Sequence, residues 1–356
     1  MRNPLADDLD RVLAQTDGLW DALRGARVFV TGGTGFFGCW LLETFLWAND
    51  RLKLDASVVV LTRDRTAFGR KASHLACHPA VTLHDGDVRT FEFVDGTLSH
   101  VIHAGTETTA PVNQGDRIRV FDTIVDGTRR VLECARRAGA SRFLLTSTGG
   151  VYGRQPAGLT HVPEEFSGGP DPADAGYAGA EAKRAAETLC GLYADRHLQP
   201  TIARCFAFVG PYLPLDARFA AGSFIRDALE GGPIRVSGDG TPWRSYLYAA
   251  DLAIWLWTIL LRGQAMRPYN VGSAEALTIE ELAHLVARTL APGAPGAPVT
   301  VARAAAAGVA AERYVPAVTR ADTELGLRPT VPLADGIRRT AEWHRAVAGQ
   351  SPSLLA

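Results

Sequence analysis

The stretch RVFVTGGTGFFGCWLLETFL, from Arg27 to Leu46, constrains this chain more than any other. An apolar run of strand type leads straight into Gly32, Gly35 and Gly38, and then into a segment with helical spacing. Gly32 permits a tight turn, Gly35 lets backbone approach a pyrophosphate, and Gly38 lets the helix pack closely on the strand. A helix that opens there aims free N–H groups at phosphates. With Thr34, Phe36 and Phe37 completing the loop, strand, glycine loop and helix in this order predict a dinucleotide-binding βαβ unit.

The rest of the first two thirds repeats that rhythm. Strand-like runs at Arg27 to Thr31, Ser57 to Thr62, Val81 to Leu83, Val101 to His103, Phe143 to Ser147 and Thr201 to Ala207 alternate with helix-length segments, among them Val120 to Ala138 and Ala180 to Tyr193. This predicts an α/β fold, a Rossmann doubly wound parallel sheet with helices on both faces. The alternation fails after Gly210-Pro211, and an Ala/Pro/Gly tract runs from Ala291 to Pro298. We therefore expect an N-terminal helical extension over 1–25 and a cofactor domain over 26–210 plus about 245–275. A smaller C-terminal substrate-binding lobe should take 211–244 and 276–356.

Composition excludes several classes. Lys and Arg number 37 against 38 Asp and Glu, so no global field draws in nucleic acid or an anionic membrane. The N-terminus carries acids where a signal peptide would carry cations, and Leu5, Leu9, Val12, Leu13 and Leu19 suit one face of a helix. The most apolar run, Leu252 to Leu261, is far below the roughly 20 residues that span a bilayer. Cys39, Cys77, Cys134, Cys190 and Cys205 show no CxxC spacing, which fits a cytoplasmic protein without a disulfide framework. His74, Cys77 and His78 cluster without completing a ligand set, so no metal site is expected.

At the end of the second strand, a carboxylate would bind the ribose 2′-hydroxyl of NAD. Here Thr62 stands at that place and Arg63 follows, an arrangement suited to a 2′-phosphate, with Asp64 as the competing acid. The cofactor is therefore NAD or NADP, and Arg63 leans to NADP. Asp87 and Val88, in GDV after the third strand, are placed to meet the adenine.

Together TGGTGFFG (31–38), GDV (86–88), VIHAG (101–105), STGGVYG (147–153), KRAAE (183–187), GDGTPWRSYLYAADLA (238–253) and YNVGS (269–273) resemble the extended short-chain dehydrogenase/reductases that act on nucleotide sugars. The resemblance covers about residues 26 to 345. It implies that His103, Ala104 and Gly105 flank the cofactor, that Thr148 holds the substrate oxygen, and that Lys183 binds the nicotinamide ribose and biases a phenol. Three departures stand out. The family's tyrosine, four residues before the lysine, is replaced by Gly179, and Tyr177 is the nearest candidate for the phenol. The Asp-Glu pair that follows the catalytic Thr in the 4,6-dehydratases is Gly149-Gly150, and an Asn usual in the helix after the fourth strand is Ile124.

The resemblance also implies a nucleotide diphosphate sugar as substrate, Arg244 as the diphosphate contact, and Tyr152 as a pocket wall. Glu107 and Arg218 are further substrate candidates, as are Arg226 and Arg313; Glu107 and Glu181 are carboxylates that could act as a base. The leading expectation is a nucleotide-sugar epimerase, at C4, working through transient oxidation. A ketoreductase or dehydratase of the same family, and a sugar-nucleotide-binding protein without redox turnover, are the alternatives. Pairing through the helices at Val120 to Ala138 and Ala180 to Tyr193 would make a homodimer.

Overall fold

The computed structural model describes residues 3–106, 116–216, 219–291, 298–306 and 308–349. Glu107 and Arg218 lie outside the described residues, as does most of the Ala/Pro/Gly tract. The chain begins with α1 (Ala6–Gln15), β1 (Arg27–Thr31), α2 (Phe36–Leu52), β2 (Ser57–Thr62), α3 (Arg65–Lys71), α4 (Ser73–Ala76), β3 (Val81–Asp85) and β4 (His100–His103). Next come α5 (Arg117–Arg137), β5 (Arg142–Thr148), α6 (Ala178–Tyr193), β6 (Gln199–Cys205), β7 (Phe208–Val209), α7 (Ala220–Leu229) and β8 (Ile234–Val236). The remainder is β9 (Trp243–Arg244), β10 (Leu247–Tyr248), α8 (Ala249–Arg262), β11 (Pro268–Val271), β12 (Leu277–Thr278), α9 (Ile279–Leu290), β13 (Val299–Val301), β14 (Arg313–Tyr314), α10 (Thr319–Leu325) and α11 (Leu333–Gly349).

Seven strands form one parallel sheet in the order β11-β6-β5-β4-β1-β2-β3, a Rossmann-like α/β fold. The chain winds outward from β1 to β3, returns to β4 beside β1, and winds outward again. Direction reverses between β1 and β4, and ligands of such sheets bind in the crevice at that switch point. Val28, Phe29 and Val30 of β1 are fully buried, as are Val101 and Ile102 of β4, as strands covered on both faces require.

The sequence reading placed several strand ends one or two residues off, and one of these shifts changes the pairing. The sixth run stops at Cys205 rather than Ala207: Phe206 donates its N–H to the Val271 carbonyl, and the next strand, β7, pairs with β10 outside the main sheet. After Gly210 the strands outside the main sheet are two or three residues long, and β12, β9 and β14 make a separate three-stranded sheet. Two-residue strands carry no legible alternation, which is why the sequence showed only an irregular segment there.

The N-terminal segment packs against the sheet domain. Leu9 and Val12 of α1 are buried, and Trp20 meets Trp257 of α8 at 5.3 Å between ring centres. Asp8, also buried, accepts a hydrogen bond from the Tyr248 hydroxyl at 2.6 Å and pairs with Arg339 of α11. The apolar run from Leu252 lies within α8, a core helix. Among the described residues no helix is long and apolar enough to cross a membrane.

Side chains take up main-chain groups at both edges of the sheet. On β3, Arg65 donates to the Leu83 carbonyl at 2.8 Å. On β11, Arg320 donates to the Pro268 carbonyl at 2.7 Å, and the Asn270 N–H reaches Glu164 at 2.9 Å.

Candidate active site

The glycine loop sits against the end of β4. Gly32 has φ +71°, and a Cβ there would stand 2.4 Å from the Ala104 carbonyl oxygen. A Cβ on Gly38 would fall 2.2 Å from the Gly32 oxygen, so helix and loop touch backbone to backbone. Gly35 occupies the N-cap of α2 in extended conformation with no capping side chain, which leaves the first amides of the helix, from Phe36 onward, open to an anion. Phe36 and Phe37 meet edge-on, Phe37 abuts Phe208, and the Thr34 carbonyl accepts from Lys71 at 2.8 Å. This cradle fits the pyrophosphate of a nicotinamide dinucleotide.

At the end of β2 Thr62 is buried, and Asp64 caps α3 by accepting the Ala67 N–H at 2.8 Å. Asp87 grips Arg89 through both oxygens, at 2.9 and 3.1 Å, and that guanidinium holds its carboxyl down at about 2. Val88 packs where Gly127 of α5 has no Cβ. Gly105 donates its N–H to Thr31 Oγ1 at 3.1 Å. The expected cofactor contact His103 is fully enclosed: Nδ1 meets Thr31 Oγ1 at 2.7 Å and Nε2 meets Thr128 Oγ1 at 3.1 Å. Burial lowers it to about 3, so the ring is neutral and ties β1, β4 and α5 together.

Thr148, at the end of β5, accepts the Gly150 N–H at 3.1 Å. Lys183 reaches β5 from α6 and donates to the Thr146 carbonyl at 2.7 Å, and burial pulls its ammonium down to about 8. Tyr177 stands at the N-cap of α6, 38% exposed, on the rim of a cavity of about 680 Å³. Gly150, Arg154, Asp239, Arg313 and Tyr314 also line that cavity. The hydroxyl 3.2 Å from Thr148 Oγ1 belongs to Tyr314, which the sequence reading did not single out.

Other expected substrate contacts are engaged elsewhere. Tyr152, expected as a pocket wall, is only 2% exposed. Its hydroxyl donates to Asn270 at 2.7 Å and accepts from Arg204 at 3.0 Å, so it lies behind the cavity in a buried network with Glu187. Arg244 pairs with Glu312 at 2.8 Å and lies 5.8 Å from the Tyr314 ring centre, beside the cavity. Glu181 pairs with Arg184, and Arg226 with Asp227. Ile124 is core. His74 and His78 bind Glu43 and Asp50, and the described residues hold no group of three or more ligating side chains.

Comparison with known proteins decides the family. The profile of the NAD-dependent epimerase/dehydratase family matches residues 28–272. The chain belongs to this family. It is 30% identical over 315 residues to UDP-glucuronic acid decarboxylase 2 of Arabidopsis thaliana, covering 88% of this chain and 67% of that protein. Among solved structures, a dTDP-glucose 4,6-dehydratase from Streptomyces venezuelae with NAD bound aligns at TM-score 0.74 and 26% identity, over 91% of this chain and 98% of that one. The UDP-glucose 4-epimerase of Thermus thermophilus with NAD aligns at TM-score 0.70 and 26% identity, over 90% and 99%. Membership makes this an enzyme of an NAD-dependent family.

Proposed function

We propose that this family member oxidises C4 of a nucleotide-diphosphate-linked hexuronic acid and sheds its carboxylate as CO2, the activity for which its curated relatives are named. The observation that carries this reading is Gly149-Gly150 beside Thr148. Dehydration across adjacent carbons needs a base for the C–H proton and an acid for the departing hydroxyl. Two glycines supply neither. A carboxylate β to a ketone needs neither: its C–C bond breaks and the electron pair moves toward the carbonyl. Arg154 and Arg313, both lining the cavity, are suited to a sugar carboxylate or a diphosphate.

Gly32, Gly35 and the first amides of α2 would hold the cofactor, which when bound supplies the hydride acceptor and donor. Thr148 would hold the C4 oxygen, and Lys183 would bring positive charge close to it. The test is incubation with UDP-glucuronic acid and NAD or NADP. Release of CO2 with a UDP-pentose is expected. The same glycine pair favours a second reading, the C4 epimerase, because epimerisation also asks only for the hydroxyl proton; a C4 epimer without CO2 would establish it. Steady consumption of cofactor points to a ketoreductase, and binding without any product to a sugar-nucleotide-binding protein.

NADP is the cofactor we favour. Asp64 is committed to capping α3, and Arg63 lies close enough to Asp87 to help lower its carboxyl. A charge-assisted contact to a 2′-phosphate is worth about 1.5–3 kcal/mol, so Arg63→Ala is expected to weaken NADP at least tenfold and NAD less than about twofold. Equal losses in a titration with both would refute the assignment.

A homodimer through α5 and α6 is the proposed assembly. Ile118 on α5 and Leu192 on α6 are 73% and 75% exposed, and such an interface would cover them. The double variant Ile118→Asp with Leu192→Asp is expected to sediment as a monomer where the wild type sediments as a dimer. Equal sedimentation of the two would refute this surface.

A further inference from the structure

The hydroxyl that meets Thr148 comes from the far end of the chain. Tyr314 Oη lies 3.2 Å from Thr148 Oγ1 and 3.3 Å from the Cys205 carbonyl oxygen. Its ring packs on Phe206, with centres 4.6 Å apart, and Phe206 in turn lies over Gly149. A Cβ at 149 would come within 2.6 Å of the Phe206 ring. Any larger residue there would displace Phe206 and with it Tyr314. The glycine that leaves Thr148 without an adjacent acid is therefore what allows a phenol to approach it.

The family's own phenol position is open. A Cβ on Gly179 would meet nothing nearer than Val120 Cγ1 at 3.7 Å. Tyr177, two residues earlier, and Tyr314 both line the cavity, but of the two it is Tyr314 whose hydroxyl meets Thr148.

We propose that Tyr314 is the proton-carrying phenol of this enzyme, working as a pair with Thr148 on the C4 hydroxyl of the substrate. The proposal rests on the reading that C4 is oxidised. In the oxidative direction the Tyr314 phenol first gives its proton to solvent; the sugar O–H bond then breaks and its proton passes to the Tyr314 phenolate oxygen. The oxygen pair becomes the second bond of the ketone, and the C4–H pair leaves as hydride to the cofactor. In the return direction the phenol gives the proton back to the ketone oxygen as hydride returns. Burial pushes Tyr314 up to about 12, which keeps the phenol protonated and ready to donate in the empty protein. Thr148 and the Arg244 guanidinium pull the other way. Each favours the ionised phenol that the oxidative step needs.

Two measurements test this. In the first, Tyr314→Phe is compared with wild type for turnover of UDP-glucuronic acid and for calorimetric binding of UDP. A loss of about a hundredfold or more in turnover is expected, with UDP affinity kept within about threefold. In the second, the 13Cζ resonance of Tyr314, assigned by its absence in Tyr314→Phe, is titrated with and without NADP plus UDP. Its pKa is expected to fall by about two units in the ternary complex. Unchanged turnover in Tyr314→Phe overturns the proposal, and so does turnover lost together with UDP affinity. If wild type does not turn over UDP-glucuronic acid, the substrate reading fails by itself. The phenol's titration then decides alone, a fall in pKa supporting the proposal and an unmoved pKa overturning it.

Discussion

Lys183→Met is expected to cut turnover by about a hundredfold to ten-thousandfold while leaving the protein at least as stable at neutral pH. The side chain is 6% exposed, and its ammonium donates to the Thr146 carbonyl. Burial lowers it from 10.5 to about 8. Between those values the unfolded chain holds a proton that the folded chain has released, so wild-type stability rises with pH across that window. Below pH 8 the buried charge costs the fold about 3 kcal/mol, a cost absent in Lys183→Met. The lost hydrogen bond offsets about 1 kcal/mol of the difference. Denaturant melts at pH 7 and pH 10 should therefore show the variant ahead at pH 7, with its lead shrinking at pH 10. A lead that does not shrink, or normal turnover, contradicts the account. A charge retained at a net cost to the fold is what a working group looks like.

Asp8→Ala, by contrast, should lower stability. Asp8 sits on α1, far in sequence from its two partners, Tyr248 and Arg339. Removing Asp8 leaves the buried Tyr248 hydroxyl and the partly exposed Arg339 guanidinium without their acceptor and costs about 3 kcal/mol. In a chain of this size the midpoint of thermal unfolding should fall by about 4 °C. A fall of only a degree or two would mean that solvent takes over the work of the carboxylate. Because α1 lies outside the nucleotide-binding strands, UDP affinity of the variant measured well below its midpoint should match wild type.

What could be read from the sequence was what is local. The strand, glycine loop and helix of residues 27 to 46 announce themselves because each glycine answers a backbone contact within a few residues, or one at the adjoining strand end. The alternation of strand and helix likewise gave the parallel sheet. Tyr314 could not be found this way, since 166 positions separate it from Thr148 and it sits on a two-residue strand without periodicity. Tyr152 and His103 show the opposite error. Both fall in motifs next to the site, yet their polar atoms are used up inside the protein, by Asn270 and Arg204 in one case and by Thr31 and Thr128 in the other. A motif fixes a position along the chain, but not whether its side chain faces the cavity or the core. Gly149 combines the two lessons: its missing side chain was plain in the sequence, while the ring of Phe206 that requires it was not.

The arginines at the two margins of the sheet bear on how this protein behaves in a crowded solution. An open parallel sheet ends in rows of main-chain donors and acceptors that another copy could extend strand by strand. On one side Arg65 occupies the Leu83 oxygen. On the other, Arg320 and Glu164 occupy Pro268 and Asn270, and proline has no N–H to offer. Such plugs make the sheet finite. They also make it vulnerable to small lesions, because losing one guanidinium would bare a sticky margin without touching the cofactor cradle, and a catalytically sound protein would then be lost to fibres or precipitate.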